Sequence, residues 1–228
     1  MATVDTTFTT PIEFMIDVPA PASTLEGFTE WTYSDSFPKQ GRITFIDGRL
    51  LIDMSPERYE SHLKIKEVVS RVLGGIVAAE SLGEFYPDGA RVKHTLTAIS
   101  NEPDAMFATW DTLKSGRLSL PPGRDPELYV ELIGTPDWIC EVVSDSSEEK
   151  DTQLLRAKYF AAGIPEYWLI DARGPAIDFQ VLVPGANGYQ PAKLDQAWQW
   201  SPTFSRWFEL TREENELGRW TYELKSKA

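Results

Sequence analysis

One carboxylate stands inside an apolar run. In Trp138–Val143, WICEVV, Glu141 is the sole charged residue, and an unpaired carboxylate costs several kcal/mol to bury. It must therefore meet a cation, a metal ion or a hydrogen-bond network. Strand side chains alternate, so Glu141 shares a face with Ile139 and Val143 while Cys140 turns away as a small apolar filler. A second acid, Asp104, follows Pro103 and opens the apolar run Ala105-Met106-Phe107. An Asp and a Glu on adjacent strands can hold one or two Mg²⁺ or Mn²⁺ ions, which activate water and stabilise charge on a phosphoryl group. An ion pair at a sheet edge is the plainer alternative for Glu141. Pro136-Asp137, a second Pro-Asp, reads as the start of the strand.

Other chemistries lack their residues. Two histidines, His62 and His94, and one cysteine cannot build a typical structural zinc site. No Gly-x-Ser-x-Gly elbow, Walker loop or dinucleotide fingerprint occurs. The 228 residues carry 35 acidic against 22 basic side chains, net −13, a charge that repels nucleic acid over most of the surface. The longest small-and-apolar stretch, Gly74–Ala79, falls far short of the ~20 residues of a membrane span. The N-terminus lacks the basic and apolar regions of a secretory signal, and the lone Cys140 suits a reducing compartment. A cytoplasmic, non-membrane protein is expected.

The elements that must position the acids follow from pattern. Residues 1–22 read as an extended arm. Ser23 or Thr24 can cap a short helix carrying Leu25, Phe28 and Trp31. Arg42–Ile46 and Arg49–Met54 flank Asp47-Gly48, a type I′ hairpin signal. From Glu57 to Leu82 the stripe Ile65, Val68, Val69, Val72, Leu73, Ile76, Val77 predicts a helix. Strands are expected at Glu84–Pro87 and Ala90–Leu96, around another Asp-Gly, and at Asp104–Ala108; Thr109–Glu127 reads as loop. After the Glu141 strand, Asp145-Ser146-Ser147 can cap a helix ending before Gly163. Tyr167–Asp171 and Ile177–Val183 are further strands, followed by an aromatic tail with Trp198, Trp200, Trp207 and Trp220. This alternation is an α/β pattern.

The segment Asp137–Asp171, DWICEVVSDSSEEKDTQLLRAKYFAAGIPEYWLID, resembles the signature half of the Uma-two family of restriction-type endonucleases, in the PD-(D/E)XK nuclease superfamily. GRITFIDGRLLIDMSP, the Ser61-His62 pair and EPDAMF match the family's other blocks in order, so the resemblance spans roughly residues 40–183. GIPEYWLID is its most specific block.

The resemblance implies a restriction-endonuclease-like mixed sheet flanked by helices, with an N-terminal hairpin and a C-terminal β-rich extension. Its expected layout is an arm over 1–22, the nuclease-like domain over 23–183 and the extension over 184–228. It makes Asp104 and Glu141 the metal-binding acids, with the Val142 carbonyl as third ligand and His62 and Glu60 in support. It implies Mg²⁺ or Mn²⁺ as cofactor and DNA as substrate, with a homodimer left open. Two positions depart from the pattern: Val143 stands where Glu-x-Lys would put lysine, and Leu155 where the family supplies one from the next helix. Of the remaining cations, Lys158, Arg156 and Lys150, Lys158 lies three residues past Leu155 on roughly the same helical side and is favoured as the catalytic cation. Arg156 can clamp phosphate but cannot act as a base. The missing lysine and the −13 charge equally suit a degenerate member that binds nucleic acid or protein as an accessory. Tyr159, Tyr167 and Trp168 read as packing residues, and Glu166 as the partner of a cation near the core.

Overall fold

The computed structural model describes residues 16–123 and 130–228. After a 3₁₀ turn at Ala20–Ser23 comes α1 (Leu25–Thr32), capped by Thr24, whose hydroxyl accepts from the Gly27 amide. The hairpin β1 (Arg42–Ile46) and β2 (Arg49–Asp53) turns through Asp47 and Gly48, both at positive φ, as a type I′ turn requires. A π-helical turn, Tyr59–Leu63, then feeds α2 (Lys64–Glu80). Next come β3 (Gly83–Pro87), β4 (Arg91–His94), β5 (Ile99–Asn101), β6 (Ala105–Thr109), α3 (Trp110–Ser115), β7 (Leu118–Ser119), β8 (Glu131–Gly134) and β9 (Trp138–Val142). A second π segment, Lys150–Leu155, runs into α4 (Arg156–Ala161). The chain closes with β10 (Tyr167–Asp171), β11 (Asp178–Pro184), β12 (Tyr189–Pro191), β13 (Leu194–Asp195), β14 (Trp198–Ser201), β15 (Arg206–Glu214) and β16 (Trp220–Lys227).

The described residues form three sheets. The central one has the order β12-β11-β10-β9-β6-β3; β9 and β10 are parallel because α4 crosses between them, and its other pairs are antiparallel. A second sheet, β2-β1-β5-β4-β8-β7, lies over one face, and the antiparallel sheet β13-β14-β15-β16 follows in sequence. Side-chain alternation divides the core. Trp138, Cys140 and Val142 of β9 join Phe107, Trp168 and the α2 stripe with Phe208 and Leu224 of the third sheet. Ile139 and Val143 face the other way, with Met106, Tyr167, Leu155 and Tyr159. Trp138 and Trp168 meet edge to face at 5.3 Å, both fully buried, so truncating either to alanine costs ~3–5 kcal/mol.

Several expectations need correction. Asp88-Gly89 does not close a hairpin: β3 pairs with β6 in the central sheet, whereas β4 pairs with β5 and β8 in the second. The turn is a crossing point between sheets. Residues 109–127 are not all loop, since Thr109 caps α3 and β7 follows; 124–129 lie outside the described residues, as do 1–15 of the expected arm. Within the remainder of that arm, Ala22 is buried against α1 and β1. The short strands β5 and β8 escaped the pattern because three or four residues give too little periodicity.

Candidate active site

The two acids meet as neighbours. In the β6–β9 register Ala105 opposes Cys140, and Asp104, one residue earlier, donates its amide to the Cys140 carbonyl at 3.1 Å. Its Oδ2 accepts from the Val142 amide at 2.7 Å. Glu141 stands between these two anchor points on β9. Both carboxylates are buried, at 2% and 1% exposure, and both line one cleft of about 340 Å³. Val142, His62, Glu57, Arg42, Lys150 and Asp151 line it as well.

Asp104 is wrapped by cations. Arg42 on β1 reaches its Oδ1 at 2.7 Å, and Lys66 on α2 lies 3.4 Å away. The same guanidinium bridges Glu57 and Asp88 at 2.7 Å each, and Lys66 touches those acids at 2.8 and 2.5 Å. Burial alone would raise the pKa of Asp104; Arg42, Lys66 and the Val142 amide outweigh it and hold the carboxyl below the usual range. Against the lowering effect of burial, Asp104, Asp88 and Glu57 raise the pKa of Arg42.

Glu141 lies in a different environment. Its Oε1 accepts from the Tyr159 hydroxyl at 2.6 Å and from Asn101 Nδ2 at 2.9 Å. Burial, reinforced by Asp151 and Asp104, pushes its pKa up to about 8 although Lys150 opposes this. Lys150 Nζ lies 3.1 Å from Asp151 Oδ1. Burial works against its charge, yet Asp151, Glu141 and Asp104 raise its pKa, so the ammonium stays protonated. Ser147 donates to Asp151, and Tyr167 donates its hydroxyl to the Asp151 carbonyl at 2.9 Å.

His62 fills the remaining side. Its Nε2 is 3.6 Å from Asp104 Oδ2 and its Nδ1 3.6 Å from Glu57 Oε2. Nδ1 is buried and has no hydrogen-bond partner among the described residues. One donor atom each from Glu57, His62 and Asp104 lies within 4.8 Å of the others, a spacing that suits a divalent cation. Both π segments serve this cleft: the Arg58 carbonyl accepts from the Leu63 amide at 3.1 Å, widening the turn that carries His62. Such insertions recur where a helix must re-aim functional side chains.

A family model for Uma2, the Uma-two family, described as "Putative restriction endonuclease", matches residues 25–213. The chain belongs to the Uma-two family. Among solved structures it resembles a "putative nuclease belonging to DUF820" from Anabaena variabilis ATCC 29413, with TM-score 0.57 and 18% identity, over 80% of this chain and 90% of that one. That likeness supports the restriction-endonuclease-like α/β fold. Comparison with curated proteins finds no match. Among the described residues no helix is long and apolar enough to cross a membrane.

The family residues distribute unevenly in space. Asp104, Glu141, Val142 and His62 converge on the cleft. Glu60 turns away: its carboxylate accepts from Lys64 and from the Trp220 amide, both at 2.7 Å, tying α2 to β16. Arg156 donates to the Tyr189 carbonyl at 3.0 Å, beside β12. Lys158 does not line the cleft; its Nζ is held by Asp47 at 2.5 Å and by the Thr97 carbonyl at 2.8 Å. Of the three cations weighed from sequence, Lys150 is the one that lines the cleft. Spacing favoured Lys158 because an α-helix offsets positions 150 and 155 by about 140°. The π segment, with its wider turn, brings them closer. Leu155 itself is fully buried in the core.

Glu166 differs from expectation too. Among the described residues no cation meets it; Trp168 Nε1 and Ser201 Oγ each donate to its Oε1 at 2.6 Å, and the Thr203 amide to Oε2 at 2.9 Å. Burial pushes its pKa up. Sequence reasoning missed Arg42, Lys66, Asn101 and the acids Glu57 and Asp88. Arg42 and Lys66 sit in ordinary strand and helix patterns, and Asp88 had a sufficient explanation as a turn residue. Tyr159 was expected to pack, and it packs against Tyr167 at 5.3 Å while also holding Glu141.

Proposed function

We propose that this Uma-two protein is a divalent-metal-dependent endonuclease that hydrolyses phosphodiester bonds in DNA. The observation that carries this reading is the convergence of two buried acids, Asp104 and Glu141, on one cleft from adjacent strands.

Asp104, Glu141 and the Val142 carbonyl are the residues that would hold Mg²⁺ or Mn²⁺. This all-oxygen donor set fits a hard cation. The raised pKa of Glu141 fits as well, because it marks a carboxylate whose charge the surrounding protein leaves incompletely balanced. Bound there, such an ion would supply Lewis acidity toward a phosphate oxygen and toward a water molecule. The chain's own residues do the positioning. Val142 N and Arg42 fix the two oxygens of Asp104; Tyr159 and Asn101 fix Glu141. Lys150 takes the role assigned by sequence to Lys158: its buried ammonium, facing the cleft, offsets the negative charge that develops on the phosphoryl group. With a net charge of −13, DNA is attracted only locally at the cleft.

One observation favours the accessory reading: both positions where the resemblance expects lysine are buried and apolar, Val143 and Leu155. Cleavage assays separate the two. Wild type with Mg²⁺ or Mn²⁺ should cut plasmid or oligonucleotide DNA. Asp104→Ala should abolish cutting, and Lys150→Met should slow it by ~10²–10³-fold, the scale of losing one electrostatic stabiliser. If wild type leaves duplex, single-stranded and branched DNA intact with either ion, the nuclease reading fails and the accessory one stands.

A further inference from the structure

The C-terminal sheet has two unlike faces. Inward it buries Gln199, Ser201, Phe208, Leu210, Tyr222 and Leu224. Alternation sends Trp198 and Trp200 of β14, Trp207 of β15 and Lys225 and Lys227 of β16 to the other side. The register lines up Trp200, Trp207 and Lys227 across three strands, with Trp198 beside them. All three tryptophans remain partly exposed.

Cations sit on this aromatic row. Lys227 Nζ lies 4.2 Å from the centroid of the Trp198 ring, and Lys193 Nζ 5.2 Å from that of Trp207. Both lysines are exposed, and among the described residues neither has a carboxylate partner. Lys225, by contrast, faces Glu209 and Glu223 at 3.7 and 3.8 Å. The face is therefore divided. Glu209, Glu213 and Glu223 gather toward one end, while the tryptophan end carries the Lys193 and Lys227 ammonium groups, without a carboxylate partner among the described residues, and the acid Asp195, opposite Trp198 in the register.

From this arrangement we propose that the tryptophan end of the outer face is a docking platform for single-stranded nucleic acid. An indole face accepts any nucleobase, and an adjacent ammonium accepts the phosphate that the base brings with it. A duplex keeps its bases stacked inside and cannot use the rings, so the platform selects single strands. Lys193 and Lys227 cover the rings in the free protein, and their exposed stems let them swing from indole to phosphate when a base stacks. On a chain with net charge −13, repulsion over most of the surface leaves a polyanion few places to bind, and this patch is one of them. The proposal is independent of the nuclease reading, since none of these residues lines the cleft.

The test is a titration of the full chain in EDTA, which removes any divalent ion, with a short dT oligomer at low salt. Tryptophan fluorescence and oligomer anisotropy are followed together. Saturable quenching is expected, with Trp200→Leu and Trp207→Leu each weakening binding by about tenfold. A Lys193→Glu/Lys227→Glu double variant leaves the rings in place and should both weaken binding and flatten its salt dependence. An rU oligomer of equal length tells whether the strand taken is RNA or DNA. Absence of quenching at micromolar protein overturns the proposal. So does unchanged affinity in the lysine double variant with its circular dichroism intact. Equal binding of heparin without a tryptophan effect would reduce the contact to charge alone and overturn the platform.

Discussion

Replacing Glu141 by Gln in metal-free protein should change how stability depends on pH. Burial, with help from Asp151 and Asp104, raises the Glu141 pKa from 4.5 to about 8. The folded state therefore keeps this proton while the unfolded chain releases it. The sign follows from linkage: the contribution is fully present below pH 4.5 and is lost as pH rises through about 8. Across that window the slope approaches ~1.4 kcal/mol per pH unit, so the total loss is on the order of 5 kcal/mol. Gln is neutral throughout and keeps an oxygen for Tyr159 and Asn101, so Glu141→Gln should remove this slope while holding the geometry. For a chain of this size the effect is on the order of 10 °C in Tm between pH 5 and 8. The assay is urea denaturation in EDTA at several pH values, followed by circular dichroism and tryptophan fluorescence. Glu166, whose pKa burial also raises, contributes to both proteins alike, whereas Asp151 acts electrostatically on Glu141, so the difference curve reports position 141 together with its effect on Asp151. Parallel pH profiles for wild type and Glu141→Gln would refute the reasoning.

Three further outcomes are expected. Arg42→Met removes the cation closest to Asp104, so Mn²⁺ should bind about tenfold more tightly by calorimetry even as the apo protein loses stability; weaker binding would mean Arg42 shapes the site rather than competing for it. Lys158→Met should leave any DNA cleavage unchanged and cost ~1–2 kcal/mol in denaturation, since it removes a partly exposed pair with Asp47 and the bond to the Thr97 carbonyl. A cleavage defect matching that of Lys150→Met would reverse the assignment of the cation. Glu166→Ala strands the donors of Trp168, Ser201 and Thr203, so it should cost ~3–5 kcal/mol, with Glu166→Gln restoring most of it; equal stability of the two variants would show that the donors find other partners.

Much of this molecule is determined locally. The Asp47-Gly48 hairpin follows from a dipeptide that tolerates positive φ, and the α2 stripe from its 3.6-residue period. The burial of Glu141 opposite Cys140 follows from strand alternation alone, and so does its need for partners. Motif resemblance added the association of Asp104 with Glu141. Contacts between distant segments were decided only by the tertiary structure. Asp88-Gly89 has the composition of a hairpin turn, but its strands enter different sheets because each finds its partner elsewhere. Arg42, Lys66, Glu57 and Asp88 become one cluster around Asp104 only when β1, α2 and the crossing point come together, and charge on a surface pattern does not encode such a meeting. That Lys150 rather than Lys158 lines the cleft was hidden for a different reason. It depends on a π segment, whose hydrogen-bond shift leaves no mark in the apolar period yet turns the helix enough to exchange one lysine for the other.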